Sequence, residues 1–198
     1  MEHFNQVANT WDTPDKIETS IKYAAEISKF LNSKKLKILE VGCGTGLLGN
    51  QLVSPDTTLL GVDTSSGMLE VFNEKFKSNP AISSKLINLE KEELDSRDFN
   101  LIISAMAFHH LIDPEKMLLK LKNLTVSNGI LAIIDLDEED GSFHPDPKNM
   151  SVHHFGFSRS VIQTWAKNCE LKLLERKIVH EIHKNDKVYS IALNIFQK

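Results

Sequence analysis

The stretch Ile38-Leu-Glu-Val-Gly-Cys-Gly-Thr-Gly-Leu47 joins a short apolar run to the start of a second apolar segment, with three glycines between them. The apolar run over residues 36–41 predicts a buried strand, and residues 47–53 predict a helix. Glycine lets the backbone turn sharply and approach a bound molecule closely. Free N–H groups at the start of a helix also favour ligand binding. We therefore expect a ligand site at this strand–turn–helix junction.

Strands and helices alternate on both sides of this turn. A first helix begins at Thr13-Pro14, and further helices are predicted over residues 65–77, 113–123 and 158–169. Further strands are predicted over residues 58–62, 85–89, 101–104, 130–135, 171–178 and 188–196, with turns at Asn128-Gly129 and at residues 184–187. This order predicts an α/β three-layer sandwich whose seven-stranded sheet is mostly parallel, with an antiparallel last strand.

One connection is longer than a compact domain normally needs. The chain has 198 residues, which fits a single domain over residues 1–198, and no repeat or linker divides it. Residues 136–157 nevertheless separate the fifth strand from the next helix. Connections of that length are usually functional. We therefore expect residues 136–157 to be an insertion on the substrate side of the domain.

The composition restricts the classes of partner. Hydrophobic residues make up 41% of the chain and charged residues 25%, as in folded globular proteins. A net charge of −4 gives no general attraction to phosphate backbones, so nucleic acid is not an expected partner. No apolar stretch is long enough to span a membrane, and two cysteines are too few for a disulfide framework. We expect a cytoplasmic protein that acts on a small molecule.

The glycine-rich turn is compatible with two cofactors. Gly44-Thr-Gly46-Leu-Leu-Gly49 satisfies G-x-G-x-x-G, and Asp63 lies near the spacing expected for a ribose-binding acid, as in NAD-dependent oxidoreductases. Glu40 favours S-adenosylmethionine (SAM) instead. Its carboxylate would repel a pyrophosphate and attract the ammonium group of a methionine moiety.

Several segments, in the same order along the chain, resemble the motifs of the class I, Rossmann-like, SAM-dependent methyltransferases. Residues 38–46 resemble the first motif, and the further matches are Leu60–Leu69, Glu90–Leu94, Phe99–Leu111 and Leu124–Asp135. Phe4–Asp12 is similar to the lid of small-molecule members, which implies an N-terminal helical lid over residues 1–33. The sequence departs from the family at Asn88, where many members carry an acid. The resemblance implies a SAM-dependent methyltransferase of the small-molecule, UbiE-like type.

The resemblance and the charge of Glu40 together assign a set of cofactor residues. Asp63 is expected to hold the ribose hydroxyls and Glu90 the adenine amino group, with Trp11 in the lid. The full set is Trp11, Glu40, Gly42, Cys43, Gly44, Gly46, Asp63, Thr64, Met68, Glu90, Lys91 and Ala105.

Histidines are concentrated in two regions that would open onto the same crevice. His109 and His110 follow the fourth strand, and three more histidines lie in the insertion. A general base is needed only if the acceptor must lose a proton, and the candidates are His109, His110, His153 and His154. The expected acceptor pocket consists of Phe143, His144, His153, His154 and Phe155. We expect no metal site, because adjacent histidines usually point to different sides and no helix carries two histidines one turn apart.

The segment after the fourth strand bears on the acceptor. It reads Ser104-Ala-Met-Ala, and it lacks the Asn/Asp-Pro-Pro-Tyr type of tetrapeptide of enzymes that methylate nucleic-acid amino groups or protein glutamine. A small-molecule acceptor is therefore expected, while the methylated atom and the oligomeric state stay open. Two alternatives also stay open: an NAD-dependent oxidoreductase and a SAM-binding module without catalysis.

Overall fold

The computed structural model describes residues 2–33, 35–184 and 186–198. Met1 of the expected lid and Asn185 of the predicted turn at 184–187 lie outside these ranges. The strands are β1 (Lys37–Val41), β2 (Thr58–Asp63), β3 (Ile82–Leu86), β4 (Phe99–Ala105), β5 (Thr125–Leu136), β6 (Lys172–Lys184) and β7 (Lys187–Gln197). The helices are α1 (Glu2–Val7), α2 (Pro14–Ser28), α3 (Leu47–Leu52), α4 (Ser66–Phe76), α5 (Pro114–Leu124) and α6 (Arg159–Asn168), with short 3-10 turns at Ala8–Thr10 and Phe108–His110.

The seven strands form one sheet in the order β3-β2-β1-β4-β5-β7-β6. Strands β1 to β5 pair in parallel, and β7 is antiparallel to both β5 and β6. The strand order reverses between β1 and β4, because β1 also pairs with β2 on its other side. Ligands of such sheets bind outside the carboxyl ends of the strands at this reversal. The predicted α/β sheet is confirmed, and it places the crevice beside the glycine-rich turn.

Two hydrophobic clusters hold the helices against the sheet. One contains residues of α2, α3 and α4, among them Ile27, Leu48 and Phe72, and the other contains residues of α5 and α6, among them Leu118 and Trp165. Apolar residues of the strands point alternately into both clusters. The sandwich therefore has three layers, as predicted.

Local capping residues start three of the helices where the sequence predicts. The Thr13 hydroxyl accepts a hydrogen bond from Lys16 N at 3.4 Å, and the Ser65 hydroxyl accepts one from Met68 N at 3.2 Å. The Asp113 carboxylate accepts one from Lys116 N at 3.0 Å. These bonds satisfy N–H groups that have no partner inside the helix, and they set where α2, α4 and α5 begin.

Some element boundaries differ from the predicted ones. Strand β3 covers Ile82–Leu86 rather than residues 85–89, because it is an edge strand with exposed Ser83 and Lys85, whereas the apolar Ile87 and Leu89 are buried in the loop that follows. Strand β5 begins at Thr125 and contains the predicted turn as an irregularity, with Asn128 at a φ of 60°. The last hairpin is also longer than predicted, since polar side chains on β6 concealed its strand pattern.

The insertion over residues 136–157 is closed at its base. Phe157 N donates to the carbonyl of Leu136 at 3.0 Å, and Glu139 N donates to the carbonyl of Phe155 at 2.9 Å. At Gly156 the backbone has a φ of +77°, and a Cβ atom there would lie 2.0 Å from the Asp137 carbonyl oxygen. Glycine is therefore required for the two arms of the insertion to meet. Among the described residues, no helix is long and apolar enough to cross a membrane.

Candidate functional site

A cavity of about 830 Å³ lies at the carboxyl ends of the central strands. Its floor is the glycine-rich turn, and residues of the N-terminal segment, the insertion and the end of β6 form its walls. Ten of the twelve expected cofactor residues line it: Trp11, Glu40, Gly42, Cys43, Gly44, Asp63, Thr64, Met68, Glu90 and Ala105. Gly46 and Lys91 do not line it.

The three glycines of the turn differ in what a side chain at each position would contact. All have positive φ values, 64° at Gly42, 52° at Gly44 and 77° at Gly46. A Cβ atom on Gly44 would meet only the Met68 sulfur, at 3.9 Å, so this glycine leaves cavity space that a side chain would fill. A Cβ atom on Gly46 would lie 2.7 Å from the rings of Phe72 and Phe76. Gly46 does not line the cavity and the space beside its Cα is filled by these core rings, so the geometry gives its expected contact with a cofactor no support.

Glu40 is a buried acid with one unpaired oxygen. Its side chain lies at the end of β1, the residue is 3% exposed, and Oε1 accepts a hydrogen bond from Gly49 N at 3.2 Å. Oε2 has no hydrogen-bond partner among the described residues. Burial raises the pKa of the Glu40 carboxyl to about 8. A cationic group in the cavity would stabilise the ionised carboxylate.

Gly49 is needed for packing against Glu40. A Cβ atom at Gly49 would lie 2.4 Å from Glu40 Oε2 and 2.8 Å from Leu59 Cδ2. The third glycine of the G-x-G-x-x-G pattern thus lets α3 approach β1 and β2. It provides no evidence for a pyrophosphate.

Asp63 holds the turn in place from the end of β2. Its Oδ2 accepts a hydrogen bond from Gly44 N at 2.8 Å, and its Oδ1 accepts one from Ser65 N at 2.8 Å. A carboxylate has about four acceptor positions, so two remain available for hydroxyl groups in the cavity. Beside it, burial raises the pKa of the Cys43 thiol, which makes Cys43 a neutral wall residue.

Glu90 connects two loops at the far end of the cavity. Its Oε1 accepts hydrogen bonds from Ile112 N at 2.8 Å and from Asp113 N at 3.2 Å, and its own N–H donates to Asn88 Oδ1 at 2.9 Å. Both Asn88 and Glu90 line the cavity. Lys91, in contrast, is exposed outside the wall, and its expected contact with a cofactor is corrected.

The N-terminal segment packs over the start of α4. Asn5 Oδ1 accepts hydrogen bonds from the Ser65 hydroxyl at 2.6 Å and from Gly67 N at 3.0 Å. Phe4 and Trp11 then line the cavity from this side. Residues of α1 and α2 therefore occupy the position expected of a lid.

Three histidines meet on the wall of the cavity, where the 3-10 turn after β4 contacts the insertion. His109 Nδ1 donates to Asp135 Oδ1 at 2.6 Å, and both residues are 1% exposed. The ring centroid of His109 lies 4.1 Å from that of His110 and 4.9 Å from that of His144. All three rings line the cavity, with Phe143 beside His144. The expectation that the adjacent histidines point to different sides is wrong.

The other expected pocket residues do not reach the cavity wall. His153 and Phe155 are exposed, Phe155 with 46% of its surface accessible, and the His154 ring packs on Phe157 with a centroid distance of 5.5 Å. It is the backbone of this segment that contacts the site. The N–H groups of His153 and His154 donate to the His109 carbonyl at 3.0 and 3.1 Å. The assignment of His153, His154 and Phe155 to the acceptor pocket is therefore corrected.

The roles of Asp135 and of the end of the long hairpin were not predicted from the sequence. Asp135 is buried behind His109 and does not line the cavity, and its signal in the sequence is that an acid in an otherwise apolar strand requires a buried partner. The end of the hairpin has no such signal, because its position at the cavity depends on the length of β6 in the folded chain. That end contributes the wall residues His180, Glu181, Ile182, His183 and Lys184.

Comparisons with known proteins agree with this geometry. A family model described as "Methyltransferase domain" matches residues 39–131. An uncharacterized methyltransferase of Schizosaccharomyces pombe is 31% identical over 83% of this chain and 63% of its own length. The ubiquinone/menaquinone biosynthesis C-methyltransferase UbiE of Campylobacter jejuni is 26% identical over 72% of this chain and 66% of its own length. The chain thus spans less than two thirds of each curated relative.

A solved structure has a similar fold. It is phosphoethanolamine N-methyltransferase 2 of Haemonchus contortus in complex with S-adenosyl-L-methionine, with a TM-score of 0.73 and 15% identity. The alignment covers 89% of this chain and 52% of that chain.

Proposed function

Because this chain belongs to the class I, Rossmann-like SAM-dependent methyltransferases, we propose that it transfers the methyl group of SAM to a small-molecule acceptor. The observation that carries the proposal is Glu40, a residue of the cavity wall whose buried Oε2 has no hydrogen-bond partner in the described part of the chain. An unpaired buried acid is costly unless a ligand supplies its partner. The ammonium group of the methionine moiety is such a partner.

The remaining wall fits the other parts of SAM. Gly44 leaves space where a side chain would protrude, Asp63 retains acceptor positions for the ribose hydroxyls, and Asn88 and Glu90 lie at the adenine end. An NAD-type pyrophosphate fits less well, because it offers Glu40 no cationic partner and its negative charge would oppose ionisation of this buried carboxyl.

When bound, SAM supplies an activated methyl group on a sulfonium whose departure needs little assistance. The protein therefore contributes mainly alignment of the acceptor and exclusion of water. Asp135 holds the His109 ring, and Phe143 and His144 limit the space in which an acceptor can lie. Phe4 and Trp11 cover the cavity from the N-terminal side.

The acceptor is a small molecule, because the reacting end of the cavity is enclosed by three segments of the chain: the N-terminal segment, the insertion and the end of β6. The net charge of −4 supports no nucleic-acid surface. Cys43 and Cys169 are free and buried, which supports a reducing compartment such as the cytoplasm as the place of action.

Calorimetric titration of the purified chain with SAM, S-adenosylhomocysteine and NAD tests the cofactor. We expect SAM and S-adenosylhomocysteine to bind and NAD not to bind. In Glu40→Gln the affinity for SAM should fall by about tenfold to a hundredfold, the value of a hydrogen-bonded charge pair. Lys91→Ala, exposed beside the cavity, is the control and should bind like wild type. Binding of NAD without SAM would refute the proposal.

Catalysis is tested by following S-adenosylhomocysteine formation with a panel of small hydroxyl, thiol and amine compounds. We expect at least one class to be methylated, and mass spectrometry of the product identifies the methylated atom. SAM binding without turnover of any class would instead favour a SAM-binding module without catalysis.

A further inference from the structure

The three histidines at the acceptor end come from two separate parts of the chain. His109 and His110 lie in the 3-10 turn after β4, and His144 lies in the insertion. One ring nitrogen from each can be chosen so that all three atoms lie within 4.8 Å of one another.

Two ring nitrogens of these histidines are buried without a partner among the described residues. His109 Nε2 and His144 Nδ1 have no hydrogen bond to any described residue, although they are inaccessible to solvent. His110 Nδ1 lies 3.1 Å from the Ser151 carbonyl oxygen, which it can only approach as a donor, so its Nε2 keeps the lone pair. Buried polar atoms without partners indicate a missing ligand.

The ring of His109 is oriented by a buried carboxylate. Asp135 holds the opposite nitrogen of His109 at 2.6 Å, an arrangement that orients histidine ligands in many metal sites.

We propose that His109, His110 and His144 form a binding site for a first-row divalent transition metal ion, for which Zn²⁺ is the representative. Three histidines with one open position are a common donor set of catalytic zinc. In a tetrahedral site with zinc–nitrogen bonds of about 2.0–2.1 Å, ligand nitrogens are about 3.4 Å apart. The three nitrogens lie within 4.8 Å of one another, so a pair must approach by up to about 1.4 Å to reach that geometry.

All three histidines line the cavity, so an ion that they hold would be in reach of an acceptor bound there, a consequence that rests on the proposed methyl transfer. A metal ion at this site would favour acceptors with a hydroxyl or thiol group. Bound there, such a group loses its proton to solvent more easily. Its lone pair then forms the bond to the methyl carbon, the carbon–sulfur bond of SAM breaks, and that electron pair returns to sulfur.

The site is tested on the full chain after removal of metal by a chelator and dialysis. Titration with Co²⁺, followed by visible absorption, and with Zn²⁺, followed by calorimetry, should show one ion per chain and the intense absorption of tetrahedral Co²⁺. We expect His109→Ala and His144→Ala each to weaken binding by about a hundredfold or more. Asp135→Asn should weaken it by about tenfold to a hundredfold.

His153→Ala is the matched control, because this histidine is exposed and lies nine residues from His144 in the same insertion. It should bind the ion like wild type. His144 lies outside the sheet, so His144→Ala alone decides the question if His109→Ala does not fold, as judged by circular dichroism.

Absence of one-to-one binding, or equal affinity in wild type and His144→Ala, would overturn the metal site. SAM titration of the same samples separates the two proposals. Binding of SAM without binding of metal overturns only the metal site, and binding of metal without SAM overturns only the methyl transfer.

Discussion

Glu40 combines a structural cost with a binding function. The sequence places an acid before the glycine-rich turn, and the structure shows that its Oε2 is buried without a partner among the described residues. Since burial raises its pKa to about 8, the ligand-free protein must keep this carboxyl largely protonated at neutral pH. A cationic ligand would reverse that preference. Removing the charge in Glu40→Gln should therefore stabilise the ligand-free protein at neutral pH and weaken its affinity for a cationic ligand.

The free energy of unfolding of ligand-free protein should depend on pH through Glu40. The pKa of this carboxyl is 4.5 in its ordinary environment and about 8 in the folded protein. Its stabilising contribution is thus complete below pH 4.5 and is lost as the pH rises to 8. Relative to Glu40→Gln, wild type should lose up to about 1.4 kcal/mol per pH unit in this window. Urea unfolding at several pH values, without SAM, measures the difference.

Glu138→Gln, at an exposed position, is the control for the same charge change, and its profile should follow wild type. Parallel profiles of wild type and Glu40→Gln between pH 5 and 8 would show that the carboxyl is ionised in the folded protein.

The conformation of the insertion, residues 136–157, is fixed by hydrogen bonds between its two ends. The hydrogen bonds between residues 136 and 157 and between 139 and 155 bring its two arms together. Its far part delivers Phe143 and His144 to the cavity, where Lys184 of the hairpin donates to the Phe143 carbonyl at 2.7 Å. The position of the acceptor wall therefore depends on a closed base.

Gly156→Ala should open that base. A side chain would lie 2.0 Å from the Asp137 carbonyl oxygen and would be held in the left-handed region. The left-handed conformation alone costs about 1–2 kcal/mol, and the clash adds to it. For a domain of this size, each kcal/mol lowers the melting temperature by about 2–4 °C. Thermal unfolding monitored by circular dichroism measures the loss.

The comparison variant is Glu138→Ala, which changes an exposed side chain of the same insertion and should melt like wild type. A Gly156→Ala protein with an unchanged melting temperature would mean that the arms can separate without cost.

Several parts of the chain form the cavity together, and no single described helix or strand encloses it. The sheet supplies Glu40 and Asp63 at the reversal of the strand order, and three other segments close the space above them. A ligand that fills the cavity touches all of these parts in the folded state only. Binding should therefore stabilise the entire domain.

SAM should raise the melting temperature by an amount set by its concentration. At about a hundredfold above the dissociation constant, binding to the folded state alone adds about 2.7 kcal/mol. This corresponds to an increase of about 5–11 °C for a domain of this size. NAD at the same concentration is the control and should leave the melting temperature unchanged. Equal shifts with both compounds would contradict a site specific for SAM.

Local patterns in the sequence were sufficient for much of the fold. Apolar runs predicted the central strands, and Thr13, Ser65 and Asp113 predicted where helices begin. Such features depend on contacts between residues a few positions apart, so they can be read from short segments. The glycine-rich turn and Glu40 were in the same way sufficient to predict a ligand cavity at this edge of the sheet, and Glu40 and residues of the turn line one.

Features that depend on distant contacts required the folded chain. The edge strand β3 was misplaced because its side chains are polar, and Gly46 was assigned to a cofactor although it faces two phenylalanines. The side chains of His153 and His154 were expected at the acceptor, but their backbone is what contacts His109. His144 meets His109 across 35 residues of chain. That meeting depends on the packing of the insertion against the sheet, which no local pattern encodes.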